Sequence, residues 1–332
     1  GGEPVSLTAF RDASLAGYVG DTLAGGDVGT IYVFSGQMGQ YVPAEFSGRV
    51  LMDLVDVDSA KFDAYGQTGP LPRRWIDARE GRLLRREEER LAHRADRTLF
   101  VSEAEADLFR SRLSDPAGVT VAALRNGIDA DCFDPARIVG SPTVLPGAGP
   151  HCVFTGQMDY APNIAAALRL ITRIMPALRR THPEAQCHIV GRNPPAALLA
   201  HDGKDGCHIW GQVPDVRPYL AAADVAVVPL EIARGVQNKV LEAMAMACPV
   251  VLPPEAATGI GGQDGVHYAV AGDDAALVAQ ACRLVDDRQA GMAMGQAARR
   301  FVIDNLGWEA VLAPLVEMVS KPPVSQECRD AA

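Results

Sequence analysis

No two of the seven cysteines form a CxxC pair; Cys132, Cys152, Cys187, Cys207, Cys248, Cys282 and Cys328 are scattered along the chain. That spacing excludes a disulfide framework or a cysteine zinc site, and reduced thiols in a cytoplasm are expected. Nowhere is there a run of about 18 apolar residues, so no transmembrane helix is expected. Residues 1–10 lack the basic and apolar regions of a signal peptide. Positive charge is also in deficit: 31 Lys and Arg stand against 41 Asp and Glu, a net charge of −10. Such a chain is a poor partner for nucleic acid, which clustered cations must hold. A small anion is still within reach, because a few local cations and backbone N–H groups suffice. No repeat at a period of roughly 20–50 residues is present.

What is present is the composition of a soluble globular protein, with 48% hydrophobic and 22% charged residues over 332 positions, enough for two domains. From residue 151 apolar runs alternate with helical patterns. Strands are expected at 151–156 (HCVFTG), 186–191 (QCHIVG), 208–211, 225–229 (VAVVP), 249–252 and 266–270. Helices are expected at 163–180, 216–223, 237–247 and after Asp273. Runs of this kind without hairpin dipeptides indicate a parallel sheet covered on both faces, an α/β Rossmann-like domain. The earlier half reads similarly, with strands at 30–35, 50–57, 98–102 and 120–123 and a charged helix at 76–94. No strand with a glycine turn precedes Ser6, so this half is expected to lack its opening strands. The domain reading is 1–135, a Pro- and Gly-rich linker 136–150, a second domain 151–306, a terminal helix 307–320 crossing back, and a disordered tail 321–332.

The stretch 225–252 carries the chemistry. An apolar strand ends at Pro229, a polar loop with Gly235 follows, and a helix starts near Gln237. In open α/β sheets ligands bind at the carboxyl ends of the strands. A helix N-terminus there offers unpaired N–H groups and a positive dipole end to a phosphate. Gly235 lets backbone approach closely, Lys239 adds a cation, and Glu242, one turn on, can accept from both hydroxyls of a ribose. An ordinary βα unit with solvated Lys and Glu has the same spacing. Asp56 and Asp58 fall on one side of the strand at 50–57 by its two-residue period. They read either as turn or capping residues or as acceptor-recognising carboxylates. The Arg and Glu of 73–94 read as a solvated helix face, with interleaved Glu87, Glu88 and Glu89 weakening a membrane-surface role.

Glu242-Ala243-Met244-Ala245 and Pro249-Val250-Val251 resemble the ending of the signature of retaining glycosyltransferases of family four, which have the two-domain GT-B fold. Asn126-Gly127-Ile128-Asp129 with Phe133 and Pro135, Phe100-Val101-Ser102, Val190-Gly191 and Gly211-Gln212-Val213 resemble further family motifs in the family's order. GVQNKVLEAMA (235–245), TGQMDYAPN (155–163) and VDVDS (55–59) are similar to the subgroup of exosortase-type exopolysaccharide loci. The sequence departs from the family twice. Arg234 stands where the family has its first Glu, and Gln157 where it has a diphosphate-binding Arg, with Pro162 or Asn163 at the Lys position.

The resemblance implies transfer of a sugar from a nucleotide-diphosphate sugar to a hydroxyl acceptor, with retention and without metal or cofactor. Lys239, Arg192 and the N–H groups at Val236, Gln237 and Asn238 would then hold the diphosphate. Glu242 would hold the ribose, and Gly211 and Val213 would flank the base. Gly156, Gln157, Asn163, Gly235 and Arg234 would line the donor site, and Glu231 would take over contact to the sugar. Asp56 and Asp58 fall on the acceptor side. The implied partners are the donor and a glycan or lipid-linked acceptor, with peripheral contact to the inner membrane face and none to nucleic acid. A sugar-nucleotide epimerase and a non-catalytic nucleotide-sugar binder are the alternatives.

Overall fold

The computed structural model describes residues 2–68, 71–138, 144–232 and 235–320. The expectations for Arg234, for the tail 321–332 and for the middle of the linker lie outside these residues. The chain divides into two compact units: Gly1–Arg125 with Leu312–Ala332, and Asn126–Val311.

In the first unit the elements run α1 (Val5–Ala9), α2 (Ala13–Ala24), β1 (Thr30–Phe34), β2 (Arg49–Val55), α3 (Asp58–Thr68), α4 (Arg73–Arg94), β3 (Arg97–Phe100), α5 (Glu103–Arg112) and β4 (Val121–Ala123). The strands form one parallel sheet in the order β1-β2-β3-β4. Strand β2 is almost wholly buried, as a continuous apolar run in a parallel sheet must be. It ends at Val55 in a bulge, with Val55 at φ 68°, a value that a β-branched residue rarely adopts. Asp53 holds the bulge: its carboxylate accepts from Val55 N at 3.0 Å and from the Tyr32 hydroxyl. The expectation of a strand through Val57 is therefore corrected. Asp56 lies in the turn beyond the bulge and Asp58 begins α3, so strand alternation does not relate them.

Helices α1 and α2 had no counterpart in the sequence reading. Asp12 caps α2 by accepting from Ser14 N and Leu15 N, and the Glu80 carboxylate caps α1 by accepting from Val5 N and Ser6 N at 2.9 Å each. Helix α4 is not simply a solvated face either. It buries Asp77, Glu80, Leu84, Glu88 and Leu91 along one side, where Glu88 accepts from Ser59 N (2.8 Å) and Ser59 Oγ (2.6 Å). The end of the terminal helix belongs to this unit as well. Arg49, only 5% exposed, donates from Nη1 to the carbonyls of Met318 (2.6 Å) and Val319 (2.9 Å), orphan acceptors of a helix C-terminus.

The second unit contains β5 (His151–Thr155), α6 (Ala161–Arg169), α7 (Met175–Leu178), β6 (Gln186–Val190), α8 (Ala196–Leu199), β7 (Cys207–Gly211), α9 (Arg217–Ala222), β8 (Val225–Val227), α10 (Asn238–Ala245), β9 (Val250–Leu252), α11 (Pro254–Ala257), β10 (Ala269–Val270), α12 (Asp274–Asp286) and α13 (Arg288–Leu306). Its last helix, α14 (Trp308–Ser320), begins here and ends in the first unit. The helix expected over 163–180 is split by a π turn at Leu170–Ile174. The strand expected over 266–270 shrinks to two residues.

Six parallel strands run in the order β10-β9-β8-β5-β6-β7. The chain thus starts at the middle of the sheet, winds outward one way to β7, then returns to the other side of β5 as β8. That reversal is a topological switch point, and it lies between β5 and β8. One apolar core covers the sheet, drawing on Phe154, Met158, Leu170, Ile189, Val240 and Leu252 among others. The segment after Asn126 packs on this unit. Ile128 joins its core and donates from N to Leu306 O at 2.9 Å, and a Cβ at Gly127 would meet Trp308 Cε3 at 2.8 Å.

Candidate functional site

Three loops leave the carboxyl edge of the second sheet side by side, after β5, β6 and β7. Backbone bonds stitch them: Gly156 N donates to Val190 O (3.0 Å), Met158 N to Arg192 O (2.9 Å) and Gly191 N to Gly211 O (2.9 Å). The approach is so close that a Cβ on Gly191 would lie 1.6 Å from Gly156 O. Only glycine fits there.

Across the switch point the β8 strand feeds α10, whose N-terminus therefore faces the same edge. Gln237 occupies the N-cap position, and its side chain makes no capping hydrogen bond to the first turn. Lys239 reaches back toward β5: a Cβ on Gly156 would lie 3.2 Å from Lys239 Cε and 2.9 Å from Asn163 Nδ2. The structure thus gathers Gly156, Asn163 and Lys239 at the switch point, and Lys239 Nζ donates to Gln237 Oε1 at 3.2 Å. Asn163 is buried. Its Nδ2 donates to Gln157 O at 2.9 Å, while its Oδ1 has no partner.

Glu242 follows Lys239 by three residues on α10. Burial pushes its carboxyl pKa up, opposed by the Lys239 charge, and burial pushes the Lys239 ammonium down, opposed by Glu242. Neither charge is quenched by a close ion pair, and the Glu242 carboxylate is half-buried without a hydrogen-bond donor among the described residues. A desolvated carboxylate with open acceptor positions beside a desolvated cation is suited to a polar ligand that carries both hydroxyls and negative charge.

The remaining sequence candidates are placed less centrally. Arg192 is exposed at the mouth of the β6 loop, its guanidinium unpaired among the described residues. Its neighbour Asn193 donates to Asp159 Oδ2 at 2.8 Å. The Gln157 side chain is exposed, and its carbonyl accepts from Asn163 Nδ2. Glu231 is exposed, 3.8 Å from Arg169 Nε. Gly235 has φ 65° and its carbonyl accepts from Gln237 Nε2 at 3.1 Å. Val236 packs near Gly259, Asn238 is exposed, and Val213 packs against the core. In the first unit Lys61 Nζ bridges Asp56 Oδ2 (2.8 Å) and Asp58 Oδ1 (3.1 Å).

Sequence reasoning missed Arg169. Nearly buried, it donates to Asp274 Oδ1 (2.6 Å) and Pro229 O (3.1 Å) and so fixes the loop that leads to α10. Its only sequence signal is a cation on the apolar side of α6.

Comparison with solved structures decides the fold. Sucrose-phosphate synthase from Thermosynechococcus elongatus superposes with a TM-score of 0.65 at 18% identity, over 96% of this chain and 79% of that one. Anabaena Alr3699/HepE in complex with UDP and glucose gives 0.64 at 15%, over 92% and 81%. A UDP-forming α,α-trehalose-phosphate synthase from Burkholderia xenovorans gives 0.66 at 11%, over 94% and 78%.

The fold is GT-B.

Residues 149–287 match the family model described as Glycosyl transferases group 1. No curated protein matches the chain. The matched segment of this GT-B chain contains the switch point, the three stitched loops, Lys239 and Glu242. The family match over residues 149–287 supports a glycosyltransferase reading, and the solved structures support the fold.

Proposed function

We propose that this chain is a retaining glycosyltransferase that moves a sugar from a nucleoside-diphosphate sugar to a hydroxyl acceptor. The observation that carries the reading is Glu242, desolvated and without a donor among the described residues, one turn from Lys239 near the start of α10. In this reading Glu242 accepts from the ribose hydroxyls. Lys239 and the first N–H groups of α10 hold the diphosphate, with Arg192 closing from the β6 loop. As the glycosidic bond breaks, negative charge grows on the leaving diphosphate, and a fixed cation with a helix N-terminus is placed to stabilise it. The acceptor hydroxyl gives its proton to the departing phosphate oxygen, so neither a protein base nor a metal is needed. Gly211 and Val213 flank the base, and Glu231 meets the transferred sugar. Asp56 and Asp58 receive the acceptor, a glycan or lipid-linked sugar of bacterial exopolysaccharide synthesis, in the cytoplasm where nucleotide sugars are made. Structural neighbours that hold UDP and UDP-glucose make these the first ligands to try.

Thermal unfolding with and without UDP tests the reading. Saturating nucleotide at about 100 times Kd adds about 2.7 kcal/mol of stability, a rise of several degrees. Glu242→Ala is expected to abolish that rise. If no nucleoside diphosphate protected the parent chain, the donor site would be refuted; protection unchanged in Glu242→Ala would refute the ribose contact alone. Donor turnover without a glycosylated product would point to the epimerase instead.

A further inference from the structure

Three cysteines stand in one row across the second sheet. Cys152 of β5 is the register partner of Cys187 of β6, and Cys187 is the register partner of Cys207 of β7. Register partners on neighbouring parallel strands share a face of the sheet, so the three thiols sit side by side. All three are free. Neighbouring strands lie about 4.8 Å apart, inside the Cα separation of roughly 4.4–6.8 Å that a disulfide spans.

The row is not uniform. Cys152 and Cys187 are fully buried, whereas Cys207, nearly buried itself, stands on the edge strand and lines a cavity of about 350 Å³. Arg179, His201 and Lys204 line the same cavity. The Arg179 guanidinium is held where β6 and β7 begin. Its Nε donates to Ala185 O at 2.8 Å, and a Cβ on Gly206 would lie 3.2 Å from its Nη2. That Nη2 is buried without a hydrogen-bond partner among the described residues, so part of the cation stays open beside Cys207. A hydrogen bond from the Cys187 thiol holds Cys207 below the ordinary thiol range, with burial opposing and Arg179 assisting. The same bond, with burial, pushes Cys187 well up, and burial pushes Cys152 up to about 12. Thiolate character is thus concentrated on the one thiol of the row that a cavity reaches, whereas cysteines buried for packing alone are inert.

We propose that Cys207 and Cys187 form a reversible dithiol–disulfide pair, oxidised by a small hydroperoxide that enters this cavity. The Cys207 thiolate attacks one peroxide oxygen. An S–O bond forms, the O–O bond breaks, and the other oxygen leaves as hydroxide and takes up a proton. Cys207 is then a sulfenic acid, oxidised by two electrons, and the peroxide is reduced. The Cys187 sulfur next attacks the Cys207 sulfur. The S–S bond forms, the S–O bond breaks, and the leaving hydroxide carries off the Cys187 proton as water. A dithiol reductant restores both thiols and becomes a disulfide itself. The inference concerns the strands of the second sheet and stands or falls apart from the donor site.

Peptide mapping of the full chain tests it. The reduced protein, freed of reductant, is treated with a small excess of hydrogen peroxide, blocked with iodoacetamide and digested without reduction. Mass spectrometry is expected to find Cys187 linked to Cys207, a link absent without peroxide and lost again after dithiothreitol. In Cys187→Ala the sulfenic acid has no thiol to resolve it, and dimedone is expected to label Cys207. Cys207→Ala is expected to leave Cys187 unlabelled and unlinked. Arg179→Gln is expected to move the pH midpoint of Cys207 alkylation upward, which loosened packing alone would not do. Cys152, closed to alkylation in the native protein, reports that each variant is folded. Oxidation of the exposed Cys132 with Cys187 and Cys207 untouched would overturn the proposal. A link from Cys187 to Cys152 in place of Cys207, or dimedone on Cys187 ahead of Cys207, would overturn it equally.

Discussion

The Glu88 carboxyl receives two hydrogen bonds from Ser59, yet burial outweighs them and pushes its pKa up to about 7. Between the ordinary value of 4.5 and 7 the unfolded chain ionises this group while the folded chain keeps it protonated. Stability therefore falls as pH rises through that window, by about 3 kcal/mol at most. Glu88→Gln keeps an acceptor for Ser59 N and has no proton to lose. It is expected to match the parent near pH 4.5 and to exceed it by roughly 1–3 kcal/mol at pH 8 in urea unfolding; a difference that ignored pH would contradict this. His188 behaves oppositely. Burial, with His151 and His208 close by, lowers its pKa to about 3. Trp210 Nε1 donates to its Nδ1 at 3.2 Å, so its proton sits on Nε2, directed at His151 Nδ1 at 3.0 Å. Below pH 6.5 the unfolded chain takes up a proton that the folded chain refuses, so stability drops as pH falls from 6.5 toward 3. His188→Leu is expected to be less stable at pH 7, by about 1–3 kcal/mol for the orphaned indole N–H. Its stability is expected to change less with acid than the parent's, and an acid slope equal to the parent's would refute the assignment.

At the scale of elements, the stitched loops after β5 and β6 depend on a glycine contact. Gly191→Ala would place a methyl 1.6 Å from Gly156 O, so backbone must move. The expected loss is several kcal/mol, together with weaker UDP protection because Gly156 and Lys239 move with it. Full stability with full protection in that variant would count against the close approach. Much of the second sheet was legible in the sequence, because a buried parallel strand announces itself as a continuous apolar run, as in HCVFT and QCHIV. The helix that follows VAVVP was legible too, and with it Lys239 and Glu242. What stayed hidden depends on partners distant in sequence. Helices α1 and α2 carry no strong periodicity, and α1 is capped from Glu80, seventy-odd residues away. The end of β2 was overrun because Val55 to Val57 read as more strand, whereas Asp53 folds the chain back on itself in a bulge. On α4 the alternation of signs looked like a solvated face, because only tertiary contacts reveal which carboxylates turn inward.

On the scale of the whole molecule, the two units respond to pH in opposite senses. The first loses stability above the ordinary carboxyl range through Glu88, and the second loses it in acid through His188. A single unfolding midpoint for the chain is therefore expected to describe it poorly at the pH extremes. The units also differ in how the chain builds them. The second is one continuous stretch from Asn126 to Val311, while the first takes its body from the start of the chain and its closing helix turn from beyond Leu312. On the ribosome, where N-terminal parts ordinarily fold first, this order cannot hold to completion. The guanidinium of Arg49 is made early and must wait, undischarged by any acceptor of its own, until Met318 and Val319 emerge some 270 residues later. The first unit's sheet thus stays unfinished until a segment some 270 residues further along the chain has been made.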